Sequence, residues 1–312
     1  MLSLAAFPAA GEISLSLPID CTLGKTCHIQ HHVDRDLGPK VADFRCGSLS
    51  YDGHKGVDFA LPTLAQMREG VNVLAAAPGR VTGIRDGMAD VEFTQATAGE
   101  TQGRECGNGV VVRHYNGFET QYCHLMKGSV RAQKGDIVER GTILGLVGLS
   151  GRTQFPHLHL AVRRNGKVID PFDPGVADDC TTTGATLWKH DLPYAPGGLL
   201  DIGFANAVPN YDAVRNGTVT ANNTSSDAPA LVVFGFAFGG QTGDDIQLRI
   251  TGPQGVVSQQ TQTLDRSQAR FFRAVGRRQP QGGWPKGEYV GTVTLFRDQT
   301  AYDIRTTVLV IK

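Results

Sequence analysis

The sequence predicts an all-β protein, an antiparallel sheet domain followed by a C-terminal β-sandwich. Three observations carry this. Glycine accounts for 39 of 312 residues, which suits a turn-rich chain. Short apolar runs alternate with polar residues and stop at Gly, Pro or Asn turns along most of the length. Helical patterning extends beyond one or two turns nowhere except in TLAQMREG at 63–70.

In chain order, the N-terminal MLSLAAFPAAGEIS is apolar, short and free of positive charge. Residues 1–18 therefore read as a truncated export signal or a flexible tail. A first domain spans 19–178. VNVLAAAPGRVTGI (71–84) holds two apolar runs broken at Pro78-Gly79, and GVVVRHYNGFETQYCHL (109–125) is a hairpin turning at Asn116-Gly117. KGDIVERGTILGLVGLSG (134–151) alternates between glycines, and HLHLAVRRNGKVIDPF (157–172) is a strand, a turn at Asn165-Gly166 and a short return. The Thr/Gly/Pro-rich stretch 179–198 reads as a linker. From 199 to 312 short alternating strands, among them ALVVFGFAFGG and AYDIRTTVLVIK, predict the sandwich. It carries no catalytic constellation. Asn216, Asn222 and Asn223 begin Asn-X-Ser/Thr tripeptides too common to carry meaning alone.

Apolar residues make up 40% and charged residues 19%, enough for packed cores and against disorder. A formal net charge of zero argues against a nucleic-acid partner or an anionic membrane bound through bulk charge. No stretch reaches the roughly 20 apolar residues of a membrane helix. The six cysteines, Cys21, Cys27, Cys46, Cys106, Cys123 and Cys180, contain no CxxC pair and all precede residue 181. They predict disulfides stapling the first domain in an oxidising compartment. Pairing across the Asn116-Gly117 hairpin sets Cys123 near Gly109 and predicts a Cys106–Cys123 bond. The other four pair among themselves in an order left open. CHIQHH (27–32) mixes cysteine and histidines. Because His31 and His32 point to opposite sides of a strand, it reads as an exposed cluster rather than a metal site.

His157 and His159, in TQFPHLHL, share a strand face. An isolated HxH is usually incidental. The segment YDGHKGVDF adds His54 and Asp58, which in a fully extended strand would lie about 13 Å apart, too far to share an ion. Gly56 permits a bend that brings them together. His54, Asp58 and His159 then form a His-Asp-His set, leaving a fourth tetrahedral position open as in catalytic zinc sites. His124, in TQYCHLM, and His157 remain for second roles.

HKGVD matches HxGxD, YCHL matches YxHL, and PHLHLAVRRNGKVIDPF matches an HxH strand with a trailing NGxxxDP. Together, over residues 54–173, these resemble the M23 peptidases, the LytM or lysostaphin-type zinc endopeptidases. The resemblance implies a LytM-type antiparallel sheet groove and hydrolysis of peptidoglycan cross-links or bridges outside the cytoplasm of a bacterium. It implies one zinc per chain on His54, Asp58 and His159, with His124 and His157 assisting catalysis. His157 is assigned to the water side and His124 to the oxyanion side, and Tyr51 reads as a groove-wall aromatic rather than a donor to the oxyanion. The insertion 89–106 and the cysteines depart from the usual pattern, so substrate choice does not transfer. Two other readings stand beside this one. A non-catalytic module of the same type, binding cell-wall peptide or another hydrolase, would lack a ligand. A biotinyl- or lipoyl-carrier hairpin with Lys127 as the modified residue would leave the histidines without a role.

Overall fold

A computed structural model describes residues 13–175, 185–219 and 223–312. Cys180, Asn222, most of the predicted tail and residues 179–184 of the predicted linker lie outside the described residues. The chain forms two compact units. The first gathers the N-terminal stretch to residue 22 with 31–60 and 70–194; the second gathers 23–30, 61–69 and 195–312.

The strands leading to and within the first unit are β1 (His28–His31), β2 (Val57–Ala60), β3 (Asn72–Leu74), β4 (Gly79–Arg85), β5 (Asn108–Arg113), β6 (Phe118–Leu125), β7 (Ile137–Val138), β8 (Ile143–Leu146), β9 (His157–Arg164) and β10 (Lys167–Ile169). The main sheet runs β2-β9-β6-β5-β4-β7, with β10 on β9, and β3 pairs β8 separately. These pairs are antiparallel. Along β6 the even positions Phe118, Thr120 and Tyr122 are buried and Glu119 and Gln121 are not, the period-2 pattern of a one-sided strand. Asn116 and Gly117 both take positive φ, 55° and 74°, as the predicted tight turn requires. The β5–β6 hairpin therefore forms as expected, and Cys106 and Cys123 are bonded with Cα atoms 4.8 Å apart. Cys21, Cys27 and Cys46 are disulfide-bonded as well.

The predicted tail needs correction. Ile13, Leu15 and Ile19 are buried, and Leu15 exchanges backbone hydrogen bonds with Leu187 and Lys189. Residues 13–18 thus belong to the first unit, with Ile13, Leu15 and Pro18 buried in it. The predicted linker is trimmed likewise: Leu187 and Trp188 are buried there, and a strand already begins at Gly198. Apolar spacing in these stretches is too short to signal a strand, yet distant partners bury them.

The second unit contains the short helices α1 (Leu64–Glu69) and α3 (Tyr211–Asn216), whereas α2 (Ala98–Thr101) belongs to the first. Its strands are β11 (Gly198–Ala205), β12 (Asn223–Thr224), β13 (Ala230–Gly240), β14 (Asp245–Gly252), β15 (Gly255–Thr263), β16 (Gln268–Arg278), β17 (Gly287–Arg297) and β18 (Thr300–Ile311). They make a three-stranded sheet, β11-β13-β16, and a five-stranded sheet, β12-β18-β17-β14-β15. Leu231, Val233, Leu248, Val293, Leu295 and Tyr289 fill the core of this sandwich. The near-continuous apolar run of β13 has a cause: alternate residues Phe234, Phe236 and Phe238 pack on the opposite face, with Val214 of α3. That strand is buried on both faces and so loses the alternation of a one-sided strand.

Candidate metal centre

β2 and β9 pair so that Asp58 lies opposite His159 and Ala60 opposite His157. His54 enters from the loop before β2, its amide bonded to the Tyr51 carbonyl. Three ligand-type atoms converge. His54 Nε2 lies 3.1 Å from Asp58 Oδ1 and 3.1 Å from His159 Nδ1, and His159 Nδ1 lies 2.8 Å from Asp58 Oδ1. The third histidine, His157, brings Nε2 to 3.4 Å from the same carboxylate oxygen. Two strand neighbours set about 7 Å apart along β9 thus both reach Asp58, because both rings turn toward β2.

Gly56 serves this geometry differently from the expected bend. It is absent from the positive-φ glycines, whereas an added Cβ would sit 2.6 Å from the His159 ring and 2.6 Å from the Leu160 carbonyl. The position needs glycine for space: the His159 imidazole packs where a side chain would go.

Hydrogen bonds on the far side of each ring orient it. His54 Nδ1 donates to the His32 carbonyl at 2.7 Å, and His124 Nδ1 donates to the Ser150 carbonyl at 2.7 Å. His157 Nδ1 donates to the Phe155 carbonyl at 3.0 Å. Carbonyls only accept, so each of these rings carries its hydrogen on Nδ1 and, when neutral, shows a lone pair at Nε2. His124 sits at a β-bulge, where the β5–β6 register shifts opposite Gly109, and it holds a positive φ of 63°. The bulge turns a strand residue into the site. Its ring centre lies 4.6 Å from that of His157 and 6.0 Å from that of His159.

Burial alone would raise the Asp58 carboxyl, but the His54 and His157 rings beside it and the hydrogen bond from His159 outweigh it and hold it well below the usual carboxylate range. Burial opposes charge on His54, yet the Asp58 carboxylate wins and raises it. His159 is lowered by burial. His124 is lowered well below the usual histidine range by burial, then by His157 and His159. With the His54 hydrogen committed to His32, its Nε2 lone pair faces a carboxylate oxygen and a second imidazole. His54 Nε2 and Asp58 Oδ1, two acceptors facing each other at 3.1 Å, call for a cation between them. Two nitrogens and one oxygen are a donor set suited to zinc rather than to magnesium or calcium. His54, Asp58 and His159 form the one such convergent group among the described residues, its atoms all within 4.8 Å.

The expected exposed cluster at 27–32 is a correction. His28, Gln30 and His32 are buried, and His31 Nδ1 lies 3.0 Å from Asp58 Oδ2. Adjacent side chains do diverge along a strand, but the His32 contribution is its carbonyl, which side-chain alternation does not track. Tyr51 is half exposed, with its ring centre 4.4 Å from that of His54. Lys127 is exposed, and its amide donates to Asp90.

Residues 52–171 match the model of Peptidase family M23. The DD-carboxypeptidase/endopeptidase Mpg of Neisseria gonorrhoeae is 36% identical over 118 residues, 38% of this chain and 22% of that protein. The peptidoglycan DD-endopeptidase ShyA of Vibrio cholerae is 32% identical over 117 residues, again 38% and 22%. The matched segment thus spans about a fifth of these relatives. A structure of the catalytic domain of the prophage-encoded M23 protein EnpA from Enterococcus faecalis, in the form of a point mutant, aligns at 25% identity, covering 46% of this chain and 88% of that one, with a TM-score of 0.32.

Proposed function

We propose, for a chain whose residues 52–171 match the model of peptidase family M23, that it is a zinc-dependent endopeptidase hydrolysing peptide bonds in peptidoglycan cross-links or bridges. The observation that carries this reading is the meeting of His54, Asp58 and His159 within 4.8 Å inside the matched segment. His54 Nε2, Asp58 Oδ1 and His159 Nδ1 would hold the ion, one per chain. The activities named for the Neisseria and Vibrio relatives support a cell-wall peptide as substrate. The Cys106–Cys123 disulfide supports work outside the cytoplasm, in the periplasm or beyond. Among the described residues no helix is long and apolar enough to cross a membrane.

Bound zinc would supply a Lewis acid that brings the pKa of a water toward neutrality and polarises the scissile carbonyl. The rest falls to two rings. His157, oriented by Phe155, presents an Nε2 lone pair and takes the proton of the attacking water. His124 is the oxyanion-side ring, but a neutral His124 with its hydrogen on Ser150 has no N–H left to donate. It stabilises negative charge only after gaining a proton at Nε2. The ring centres lie 4.6 Å apart, and since burial and the neighbouring rings oppose charge on His124, His157 is the ring that accepts the proton from water and passes it to the leaving amine.

Digestion of purified peptidoglycan by the full chain, followed by mass spectrometry of the products, tests this. New peptide termini that appear with zinc and vanish with chelator are expected. Intact cross-links in both conditions would overturn the proposal.

A further inference from the structure

Asp58 has two carboxylate oxygens, and they face different partners. Oδ1 meets His54, His157 and His159. Oδ2 meets His31 Nδ1 at 3.0 Å. We propose that His31 is a positioning residue for the metal-binding carboxylate: it grips Oδ2 so that Oδ1 alone is aimed at the ion. This rests on the reading of His54, Asp58 and His159 as ligands.

The chemistry supports a donor role for His31. A carboxylate can only accept, so the hydrogen between the two groups sits on His31 Nδ1. A bond to an ionised oxygen is of the stronger, charge-assisted kind. It blocks rotation of the carboxylate about its own axis and occupies the oxygen that would otherwise make a second bond to the ion. His31 stands outside the convergent group formed by His54, Asp58 and His159, so it reads as an outer partner rather than a fourth ligand. Its own ring is braced edge-on against Tyr51, with centres 5.3 Å apart and planes at 89°. The next residue works on the next ligand, since the His32 carbonyl accepts from His54 Nδ1. Two consecutive residues therefore orient two ligands from outside, one through its side chain and one through its backbone. A ligand whose outer partner is removed commonly loses 10–100-fold in metal affinity.

The test is zinc affinity of the full-length protein, read by competition with a chromogenic chelator, for wild type, His31→Ala, His31→Asn and His31→Gln. Asparagine places an N–H where Nδ1 stands, whereas glutamine places it one bond further out, near Nε2. The expected result is one zinc at saturation in every variant, with about 10–100-fold weaker binding in His31→Ala and His31→Gln and affinity within about threefold of wild type in His31→Asn. If His31→Ala does not fold, the Asn and Gln variants carry the comparison alone. Equal affinity in all variants would overturn the role of His31 while leaving the metal site standing. A loss that asparagine fails to restore, accompanied by an equal loss of stability in the metal-free protein, would show packing instead. Absence of zinc binding in the wild type would overturn the site itself.

Discussion

His157 and His159 differ by one intervening leucine and by their place around Asp58. His159 Nδ1 lies 2.8 Å from Asp58 Oδ1 and 3.1 Å from His54 Nε2, whereas His157 Nε2 approaches the same carboxylate oxygen no closer than 3.4 Å. His159→Ala is accordingly expected to lose zinc and activity together. His157→Ala is expected to keep its zinc and lose about 10²–10⁴-fold in turnover, the range for a general acid–base group. Metal content and peptidoglycan hydrolysis of both variants check this; zinc loss in His157→Ala would reverse the assignment. A second prediction concerns Asp170, just past β10. Burial pushes its carboxyl up to about 7 against the opposing bond from the Phe172 amide, and Oδ2 has no partner among the described residues. Between about pH 4 and 7 the folded chain keeps a proton there that the unfolded chain releases. The stabilisation is full at low pH and fades as pH rises through about 7. Asp170→Asn should therefore stabilise the protein at pH 8, by on the order of 1–4 kcal/mol, and much less at pH 4. Urea unfolding at the two pH values would show it, and equal effects at both would contradict it.

At the scale of elements, two features hold the site. The loop into β2 passes Gly56, where an added methyl would meet the His159 ring and the Leu160 carbonyl at 2.6 Å. Gly56→Ala is expected to cost about 1–3 kcal/mol and most of the zinc, measured by unfolding and metal analysis; zinc binding at wild-type strength would sink the spatial argument. The bulge at His124 is flanked by the Cys106–Cys123 bond, and the His124 amide donates to the Cys106 carbonyl at 2.8 Å. Replacing both cysteines by alanine should lower stability by about 2–4 kcal/mol. It should also slow turnover with little loss of zinc, because neither cysteine belongs to the ligand group, although Cys123 stands opposite His159 in the β6–β9 pairing. The ligand motifs were legible in the sequence because HxxxD and HxH lie on two short local stretches whose strand pairing brings them together. His31 was not legible, because its meeting with Asp58 depends on where the end of β1 lands. The reason for Gly56 was not legible either, since a glycine chosen for space and a glycine chosen for its turn look alike in a sequence.

At the scale of the whole molecule, the all-β character and the sandwich were legible from period-2 alternation and turn residues. The unit boundaries were not. Leu15 is buried and exchanges backbone hydrogen bonds with residues more than 150 positions away in the chain, and no local pattern announces that. The second unit holds no convergent metal-ligand group among its described residues. Zinc should therefore stabilise the first unit specifically, by about 2.7 kcal/mol at free zinc one hundred times the dissociation constant. Calorimetry of the full chain with zinc and with chelator would show a shift of the transition that carries the first unit; a thermogram indifferent to chelator would contradict it. The central claim is that His54, Asp58 and His159 hold one zinc ion. Anomalous diffraction from crystals of the zinc-loaded protein, collected across the zinc absorption edge, tests it most directly. The account predicts one peak, about 2.0–2.2 Å from His54 Nε2, Asp58 Oδ1 and His159 Nδ1, with His31 and His157 outside bonding distance. No peak, or a peak bonded to His157 in place of His159, would contradict it.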